Sequence, residues 1–515
     1  MLIQELPWTV WQQVILPLLD AVSLTRLSQT SRHFFQLCND EYLWRNLVFD
    51  DYNLSHDVSY RNKGWKALYG QLEHSAVYTW GENGDGRLGF GPPRGNHWQR
   101  LSMSVTEPKE LTFLRGKGVV SIASGGWSFH CLSKHGKVWM WGTMDSEWEA
   151  RGTLAFKIVS EPTLVNLPQD ICITSLACGR SHAVAMERNP TVLWHWDNLW
   201  TPKKVVFVDK LVQVSATWRG SLALTCKGVV CIVDLPTPTR SENEVHEQET
   251  LWQGVSFSLD SLREDAVRTQ NNAVSEAIEE GDRIVQVAGL ESSMIALSLF
   301  GKVFKIELRR LDELQNTPAT YTTLLAPFSA TSKELNDRGN TVQRFVSGAF
   351  RQFAVYTTPG RVLLGNQDTD YSGEYTLEEY KEDEPETNSD EEEEEEEENN
   401  VDPHQPQHFH FISRINRGVR RTSRARTSEN SNVKIHWIGS NICNVSFGDY
   451  HTGALTTAGS LYTWGSYSSG ALGHGARRQD IHHPKKVSAL NDKFVFGIGF
   501  GGWQSSALVI PKEVE

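Results

Sequence analysis

A repeated pattern of short strands constrains the fold of this 515-residue chain more than any other feature. Each unit contains a short apolar strand, a turn usually marked by Gly, a small-residue strand, a second turn and a third strand that ends in an aromatic residue. Short strands at even spacing, separated by turn residues, predict an all-β repeat fold. Six complete copies begin near Val119, Ile173, Val212, Ile284, Val342 and Ile442.

Two incomplete copies at the ends of the repeat region complement each other. Residues 495–510 (VFGIGFGGWQSSALVI) provide the first two strands of a unit, and residues 77–91 (VYTWGENGDGRLGFG) provide a third strand and its loop. Together they make a seventh unit from both ends of the region. A shared unit closes a ring and removes the free sheet edges that promote aggregation. We therefore predict a mainly β chain with a seven-bladed β-propeller over residues 76–512.

The repeats resemble those of the regulator of chromosome condensation family. The resemblance is carried by Tyr78–Gly81 (YTWG) with Asn83–Gly89 (NGDGRLG), and by Tyr462–Gly465 (YTWG) with Gly470–Gly473 (GALG). It implies the same seven-bladed propeller. The founding member of this family is a guanine-nucleotide exchange factor for the small GTPase Ran. The units near 211–233 and 284–306 lack Trp-Gly, so they give no reason to transfer its loop residues.

The first 50 residues differ from the repeats because their apolar residues have helical spacing. Val10, Val14 and Leu18 form one series, and Ile15 and Leu19 form another. Three short helices cannot bury all of these side chains among themselves. We expect the remaining apolar surface to need a partner. The alternative is a helical cap that packs on the rest of the chain.

This segment also resembles an F-box. Leu6-Pro7, the block Leu27-Ser28-Gln29-Thr30-Ser31-Arg32 and Leu43-Trp44 occur in family-like order and spacing. The resemblance implies docking onto a Skp-type adaptor and, through it, onto the cullin and RING subunits of a ubiquitin ligase. An F-box followed by this repeat is similar to the fungal SCF-associated factor type. Since a few buried apolar residues dominate such interfaces, the predicted adaptor contacts are Leu6, Pro7, Val10, Ile15, Leu16, Leu19, Leu24, Leu27 and Trp44.

The predicted organisation is an F-box over residues 1–50, a helical linker over 51–75 and the propeller. Two insertions enlarge the ring. The first, at 235–280, is acidic and partly helical, and the second lies at 366–432. The second contains residues 381–398, with thirteen acids against one Lys, followed by an Arg run. A like-charge block of this length is expected to be disordered. Candidate phosphorylation sites beside these charges are Ser389 and Ser423.

The net charge of −13 arises almost entirely from that acidic tract, so the remainder of the chain is close to neutral. No global field draws such a chain to nucleic acid or to a membrane surface. No apolar run approaches the roughly 18 residues of a transmembrane helix. Seven cysteines without a Cys-x-x-Cys pair indicate a reducing compartment. We expect a cytoplasmic or nuclear protein with no membrane partner and no specific nucleic acid.

No sequence motif indicates catalysis. The Walker phosphate loop, the His-Glu-x-x-His pair and the Gly-x-Ser-x-Gly elbow do not occur. His404, His408 and His410 in a Pro/Gln-rich loop are better explained as polar loop residues than as metal ligands. We predict a non-enzyme without cofactor or metal. The turn histidines His182 and His451 vary between copies, so we expect loop chemistry to differ from blade to blade.

These inferences combine into one predicted function, the substrate-recognition subunit of an SCF-type ubiquitin ligase. The F-box would dock the adaptor, and propeller loops would bind an unidentified protein substrate for ubiquitination and proteasomal degradation. The alternatives are guanine-nucleotide exchange and a scaffold role without degradation. Because the ring closes on itself, we expect it to gain little from an N-terminal cap. The face around Leu6, Pro7 and Leu16 is expected to stay exposed for the adaptor.

Overall fold

A computed structural model describes residues 6–54, 59–61, 63–91, 104–144, 158–198, 201–233, 250–308, 311–339, 343–358, 360–380, 433–439 and 441–512. Within these ranges a group of N-terminal helices precedes seven β-sheets. The innermost strand of each sheet contacts that of the next, and the seventh contacts the first, so the sheets close into a ring. The prediction of a mainly β chain with a seven-bladed propeller is confirmed.

Capping side chains begin three of the N-terminal helices. Asp20, Ser31 and Asp40 each accept a hydrogen bond from the backbone N–H three residues later, which satisfies a donor that the first helical turn leaves unpaired. The helices are α1 (Trp8–Val10, continued by a π-helical turn, Trp11–Ile15, and a 3-10 turn, Leu16–Leu18), α2 (Ala21–Ser28), α3 (Arg32–Cys38), α4 (Glu41–Tyr52) and α5 (Trp65–Gln71).

One blade is built from both ends of the repeat region, as the incomplete copies predicted. Strands β1 (Ala76–Gly81) and β2 (Val105–Glu110) form its outer half. The inner half comes from β29 (Lys493–Gly501) and β30 (Gln504–Pro511). β1 pairs antiparallel with β30 along its whole length. This blade, numbered 7, joins the two halves of the chain by backbone hydrogen bonds.

Blades 1 to 6 follow in chain order between these ends. Each has four antiparallel strands ordered from the ring centre outwards, and blades 2 and 5 gain a fifth strand, β14 and β23, which pairs in parallel. The strands of blades 1 to 3 are β3 (Val119–Ser124), β4 (Ser128–Ser133), β5 (Val138–Gly142), β6 (Val159–Leu164), β7 (Ile173–Cys178), β8 (Ala183–Glu187), β9 (Val192–Trp196), β10 (Lys203–Val206), β11 (Leu211–Ala216), β12 (Ser221–Thr225), β13 (Val230–Val233), β14 (Thr250–Leu251) and β15 (Ser256–Phe257). Those of blades 4 to 6 are β16 (Ile284–Gly289), β17 (Ser293–Ser298), β18 (Val303–Glu307), β19 (Thr322–Leu324), β20 (Gln343–Ala349), β21 (Gln352–Thr357), β22 (Val362–Asn366), β23 (Tyr375–Glu379), β24 (Val433–Ile438), β25 (Ile442–Phe447), β26 (His451–Thr456), β27 (Leu461–Gly465) and β28 (Ile481–Lys486).

Trp80 of the first YTWG motif packs on a glycine of the preceding blade. Trp80 is fully buried, and its Nε1 donates to the carbonyl of Ala471 in blade 6 at 2.8 Å. A Cβ on Gly473 would lie 2.9 Å from that Nε1, and the φ of Gly473 is +80°. Gly89 of blade 7 has the same relation to Trp141 of blade 1. Only glycine fits such a site, which explains why the two motif halves occur together.

Both insertions are partly integrated into the ring. In the first, β15 completes blade 3, and helices α6 (Leu259–Arg268) and α7 (Asn272–Ala277) then pack beside blade 4. There Asp265 accepts a hydrogen bond from the backbone N–H of Ala319 at 2.8 Å, and Asn271 donates to the Ala319 carbonyl. In the second, β23 lies against the returning strand β24. Residues 381–432 lie outside the described residues, and so do Ser389 and Ser423. Two short α-helices, α8 (Leu311–Asn316) and α9 (Lys333–Asp337), and seven further 3-10 turns complete the described elements.

Antiparallel blades give the ring two distinct faces. The turns between first and second strands and the loops between third and fourth strands lie at one end of the strands, which we name the loop face. The other ends form the opposite face. The N-terminal helices contact that second face, which we name the helix face: Asn53 donates to the Ile173 carbonyl at 2.7 Å, and Tyr60 donates its backbone N–H to Cys443 at 2.6 Å.

The described residues between α4 and α5, 53–54, 59–61 and 63–64, contact different blades on the helix face. Asn53 lies against blades 1 and 2, whereas Tyr60 and Arg61 lie against blades 5 and 6. Arg61 donates to the Thr457 carbonyl at 2.6 Å, and a single apolar core runs from the helices into blades 1, 2 and 7. The expectation that the ring gains little from an N-terminal cap is therefore wrong. A closed ring satisfies its strand edges, but the apolar residues at the strand ends still need cover.

Candidate functional site

The helical domain is the first candidate surface, since its sequence predicted nine adaptor contacts. Pro7 is exposed, and five others are half-buried: Leu6, Val10, Ile15, Leu19 and Leu27. These six are accessible to a partner, so their predicted role stays a prediction.

The remaining three predicted contacts lie inside the domain. Leu16 and Leu24 are fully buried, and Trp44 is 3% exposed. The indole Nε1 of Trp44 donates to the Cys38 carbonyl at 2.6 Å, and its ring packs against Tyr69 of α5. The prediction of direct contact is therefore corrected for these three residues. They hold the helices in place beneath the surface, because burial of their apolar side chains stabilises the domain itself.

Sequence reasoning missed most of the apolar residues that the domain leaves exposed. Val14 and Leu18 were noted only as part of a helical series, and the exposed fraction of Leu18 is 81%. Their spacing did not show which of two overlapping series faces solvent, because both fit a helix. The exposed set, which we name the apolar surface, is Trp8, Val14, Leu18, Val22, Phe35 and Tyr42.

A groove of about 780 Å³ adjoins this surface between α2, α4 and α5. Val22, Trp44 and Tyr69 give it apolar walls, and Arg26 and Lys66 add positive charge. The Nζ of Lys66 lies 5.5 Å from the centre of the Trp44 ring, within the range of a cation–π contact. Burial raises the pKa of Tyr69, whose hydroxyl donates to Asp51 at 2.6 Å. The groove thus has apolar walls and charged residues of both signs, since Glu41 also lines it, and Val22 joins it to the apolar surface.

The turn histidines of the propeller are core residues, contrary to the expectation that they provide loop chemistry. His182 and His451 are 4% and 2% exposed. A Cβ on Gly179 or Gly448, three residues earlier, would lie about 2.1 or 2.2 Å from the respective ring, so each glycine makes room for its histidine. Burial lowers the pKa of both histidines to about 3. Both rings are therefore neutral at physiological pH.

No described part of the chain shows a metal site or a membrane-spanning helix. Within the described ranges, no three His, Cys, Asp or Glu side chains are grouped so that they would hold a metal ion. Among the described helices, none is both long and apolar enough to cross a bilayer. The histidines at 404, 408 and 410 lie outside the described residues.

Comparison with known families agrees with both halves of the architecture. A model described as F-box-like matches residues 3–50, and a model of the regulator of chromosome condensation (RCC1) repeat matches residues 75–132 and 458–508. The chain therefore carries an F-box-like domain followed by RCC1 repeats. The repeat matches contain both YTWG motifs, and the degenerate units lie outside them.

The combination fits the fungal type that the sequence resembles, although the curated relatives match only over short stretches. SCF-associated factor 1 of Saccharomyces cerevisiae is 36% identical over 93 residues, 15% of this chain and 15% of its own length. RUG3, a mitochondrial RCC1 domain-containing protein of Arabidopsis thaliana, is 37% identical over 123 residues, 24% of this chain and 26% of its own length. The human E3 ubiquitin-protein ligase HERC2 is 36% identical over 111 residues, 21% of this chain and 2% of its own length. The chain thus spans about a quarter or less of each relative.

Solved structures resemble the whole ring at low sequence identity. Prp20p from Saccharomyces cerevisiae has a TM-score of 0.53 at 17% identity, covering 88% of this chain and 96% of its own. Human WBSCR16 has a TM-score of 0.51 at 17% identity, covering 84% and 98%. At these identities the likeness shows the propeller fold alone.

Proposed function

We propose that this protein is the substrate-recognition subunit of an SCF-type ubiquitin ligase. Its F-box-like helices dock a Skp-type adaptor, which connects the chain to cullin and RING subunits. The propeller holds a protein that is to be ubiquitinated and degraded in the cytoplasm or nucleus. The chemistry then belongs to other subunits, and this chain contributes proximity between the substrate and the conjugating machinery.

The observation that carries this proposal is the apolar surface of the helical domain. The domain packs firmly on the helix face, yet this contact leaves Val14, Leu18 and Val22 more than half exposed. Exposed apolar side chains concentrated on one small domain are typical of a protein–protein interface. An adaptor that covers these side chains would remove their apolar surface from water, and this burial would stabilise the complex.

The arrangement of the two faces supports the same proposal. Since the helical domain occupies the helix face, an adaptor bound to it leaves the loop face accessible. The contacts of Asn53 and Arg61 with strand ends fix the domain against the ring. A substrate on the loop face would therefore be held at a set distance from the adaptor, as proximity-driven transfer requires.

Binding of a purified Skp-type adaptor tests the proposal. We expect Leu18→Glu to weaken binding about 30-fold or more, since loss of a hot-spot residue costs about 2 kcal/mol. Val208→Glu is the matched control, because Val208 is 88% exposed but lies in the propeller. Isothermal titration calorimetry with both variants and the wild type measures the effect. Failure of the wild-type protein to bind any Skp-type adaptor would overturn the ligase assignment.

The alternatives predict different results with the same preparations. An exchange factor would accelerate nucleotide release from Ran without any adaptor present. A scaffold without a degradation role would bind the adaptor, but no protein would accumulate in cells that lack the chain. The likeness to Prp20p, whose structure is described with its binding to Gsp1p and histones, is one of fold and does not favour exchange activity.

A further inference from the structure

The centre of the loop face carries an unusual cluster of side chains around Arg180. The guanidinium of Arg180 lies 4.0 Å from the ring centre of Trp127 and 4.4 Å from that of Trp218. Phe350 is the third ring, at 5.6 Å. Asp449, from the far side of the ring, accepts a hydrogen bond from Nη1 at 2.8 Å. Residues from blades 1, 2, 3, 5 and 6 therefore meet at one point.

The cluster lies on turns that are fixed to one another by backbone hydrogen bonds. The N–H of Gly126 donates to Arg180 at 2.9 Å, that of Arg180 to Trp218 at 3.2 Å, and that of Trp218 to Leu290 at 3.1 Å. In the same way, the backbone N–H of Asp449 in blade 6 donates to the carbonyl of Gly502 in blade 7 at 2.9 Å. The tips are thus held in place before any ligand arrives, which lowers the ordering cost of binding.

The same turns present more aromatic surface than a closed ring needs. Five of the seven turns between first and second strands carry an aromatic residue at the tip, and the exposed fraction of Tyr450 is 53%. The other four are half-buried. Trp, Tyr and Arg are the residues most enriched at interface hot spots. We name the following residues the turn cluster: Trp127, Arg180, Trp218, Phe350, Tyr450 and Trp503.

The turns carry three arginines, and one of them has no ion-pair partner among the described residues. Arg180 is ion-paired with Asp449, and Arg351 with Glu291 and, at 3.7 Å, with Asp368. Arg219 is exposed and has no ion pair with a described residue. In addition, the Nε of Arg180 is buried without a hydrogen-bond acceptor. An exposed arginine without a carboxylate partner and a guanidinium N–H without an acceptor favour an anionic ligand, since the ring faces nearest Arg180 already hold a cation.

We propose that the turn cluster is the substrate-contact site and that it takes an acidic side chain, Asp or Glu, on an extended segment of the protein substrate. The carboxylate binds Arg219 and competes with Asp449 for Arg180, while the neighbouring residues of the segment pack on Trp503 and Tyr450. Arg180 is only 12% exposed, so a single side chain, rather than a folded surface, reaches it. The inference rests on the proposed function, because it names the substrate chemistry of that function.

Three oriented peptide libraries test the proposal on the full-length protein. They carry Glu, Gln or Lys at one fixed position among degenerate neighbours and are labelled with fluorescein. We expect the wild-type protein to retain the Glu library at least about 5-fold better than the Gln library, the scale of a partly exposed ion pair. Equal retention, or preference for Lys, overturns the proposal.

Two variants should move this preference in opposite directions. Arg219→Glu removes the uncompensated charge and should abolish the preference for Glu. Asp449→Asn removes the internal competitor and should increase the preference for Glu. If the two residues only maintained the structure of the turns, both variants would instead weaken peptide binding. Lys117→Glu, an exposed charge reversal on the helix face, is the control. An unchanged preference in both variants also overturns the proposal.

Adaptor binding is measured on the same proteins. If the wild type binds no Skp-type adaptor, the proposed function fails whatever the peptides show. If it binds the adaptor but shows no acidic preference, only the turn-cluster inference fails.

Discussion

The helical domain and the propeller bury their apolar residues to different extents. Six of the seventeen large apolar side chains that are exposed among the described residues lie between positions 8 and 42. The propeller is many times longer but contributes only eleven. Each blade covers its neighbours, whereas a few short helices have too little volume for a closed core. The helical domain therefore leaves a larger share of its apolar side chains exposed than the propeller does.

The two regions also differ in how their polar groups are buried. The propeller encloses neutral histidines between its blades, and the helical domain contributes capping carboxylates and hydroxyls at its surface. We therefore expect acid to lower the stability of the propeller more than that of the helical domain. We also expect mutation to distinguish the buried residues that stabilise the helical domain from the exposed residues that form its apolar surface. Three predictions, from the largest expected effect to the smallest, test this contrast.

Acidification should destabilise the propeller most. Burial lowers the pKa of His130, His182 and His451 to about 3, and an unfolded histidine titrates near 6.5. The unfolded chain therefore binds these protons first, so stability is complete above pH 6.5 and is lost as the pH falls towards 3. The loss at pH 5 is on the order of 2 kcal/mol per histidine. Guanidinium unfolding followed by tryptophan fluorescence at pH 7 and pH 5 measures it.

The control for acidification is His451→Gln, because Gln504 occupies the equivalent position in blade 7. Glutamine does not titrate, so the dependence of the unfolding free energy on pH should become shallower by about one proton. An unchanged slope would contradict the role of His451.

Truncation should separate buried from exposed residues within the helical domain. Leu24→Ala removes a fully buried side chain and should lower the unfolding free energy by about 2–5 kcal/mol. Leu18→Ala removes an exposed one, so stability should change by no more than about 0.5 kcal/mol, although adaptor affinity should fall. Thermal unfolding and adaptor titration of both variants give the two readouts. Equal destabilisation by the two changes would show that Leu18 belongs to the core.

Loss of the Arg61 contact should loosen the helical domain from the ring. Arg61 donates to Thr457 and stacks 5.1 Å from the Phe494 ring. Arg61→Ala should cost about 1–3 kcal/mol, the value of a buried hydrogen bond to a charged group, and should split one calorimetric transition into two. Arg115→Ala breaks an exposed pair with Glu110 inside the propeller, so it should cost under about 1 kcal/mol. A single transition in Arg61→Ala would refute the coupling.

Much of the fold could be read from residue patterns because the same types of contact recur between successive blades. The Gly473 and Trp80 pair of adjacent blades shows this, since both residues are required by one contact. The incomplete copies at residues 77–91 and 495–510 predicted the shared blade because each copy lacks the strands that the other provides. The exposure of the apolar residues in the helical domain was harder to predict. Helical spacing places Leu16 and Leu18 equally well on either face, and only packing against α4 decides between them.

The sequence by itself determined the number of blades, the closure of the ring and the presence of an F-box-like domain, because the repeated pattern and its two complementary incomplete copies are visible in the residues themselves. The tertiary structure alone decided which apolar residues remain exposed and that Asn53 and Arg61 contact different blades on the helix face. It also brought Arg180 and Asp449 together from opposite blades. Such contacts join residues far apart in the chain, and no local periodicity records them. They are also the contacts on which both proposed interactions depend.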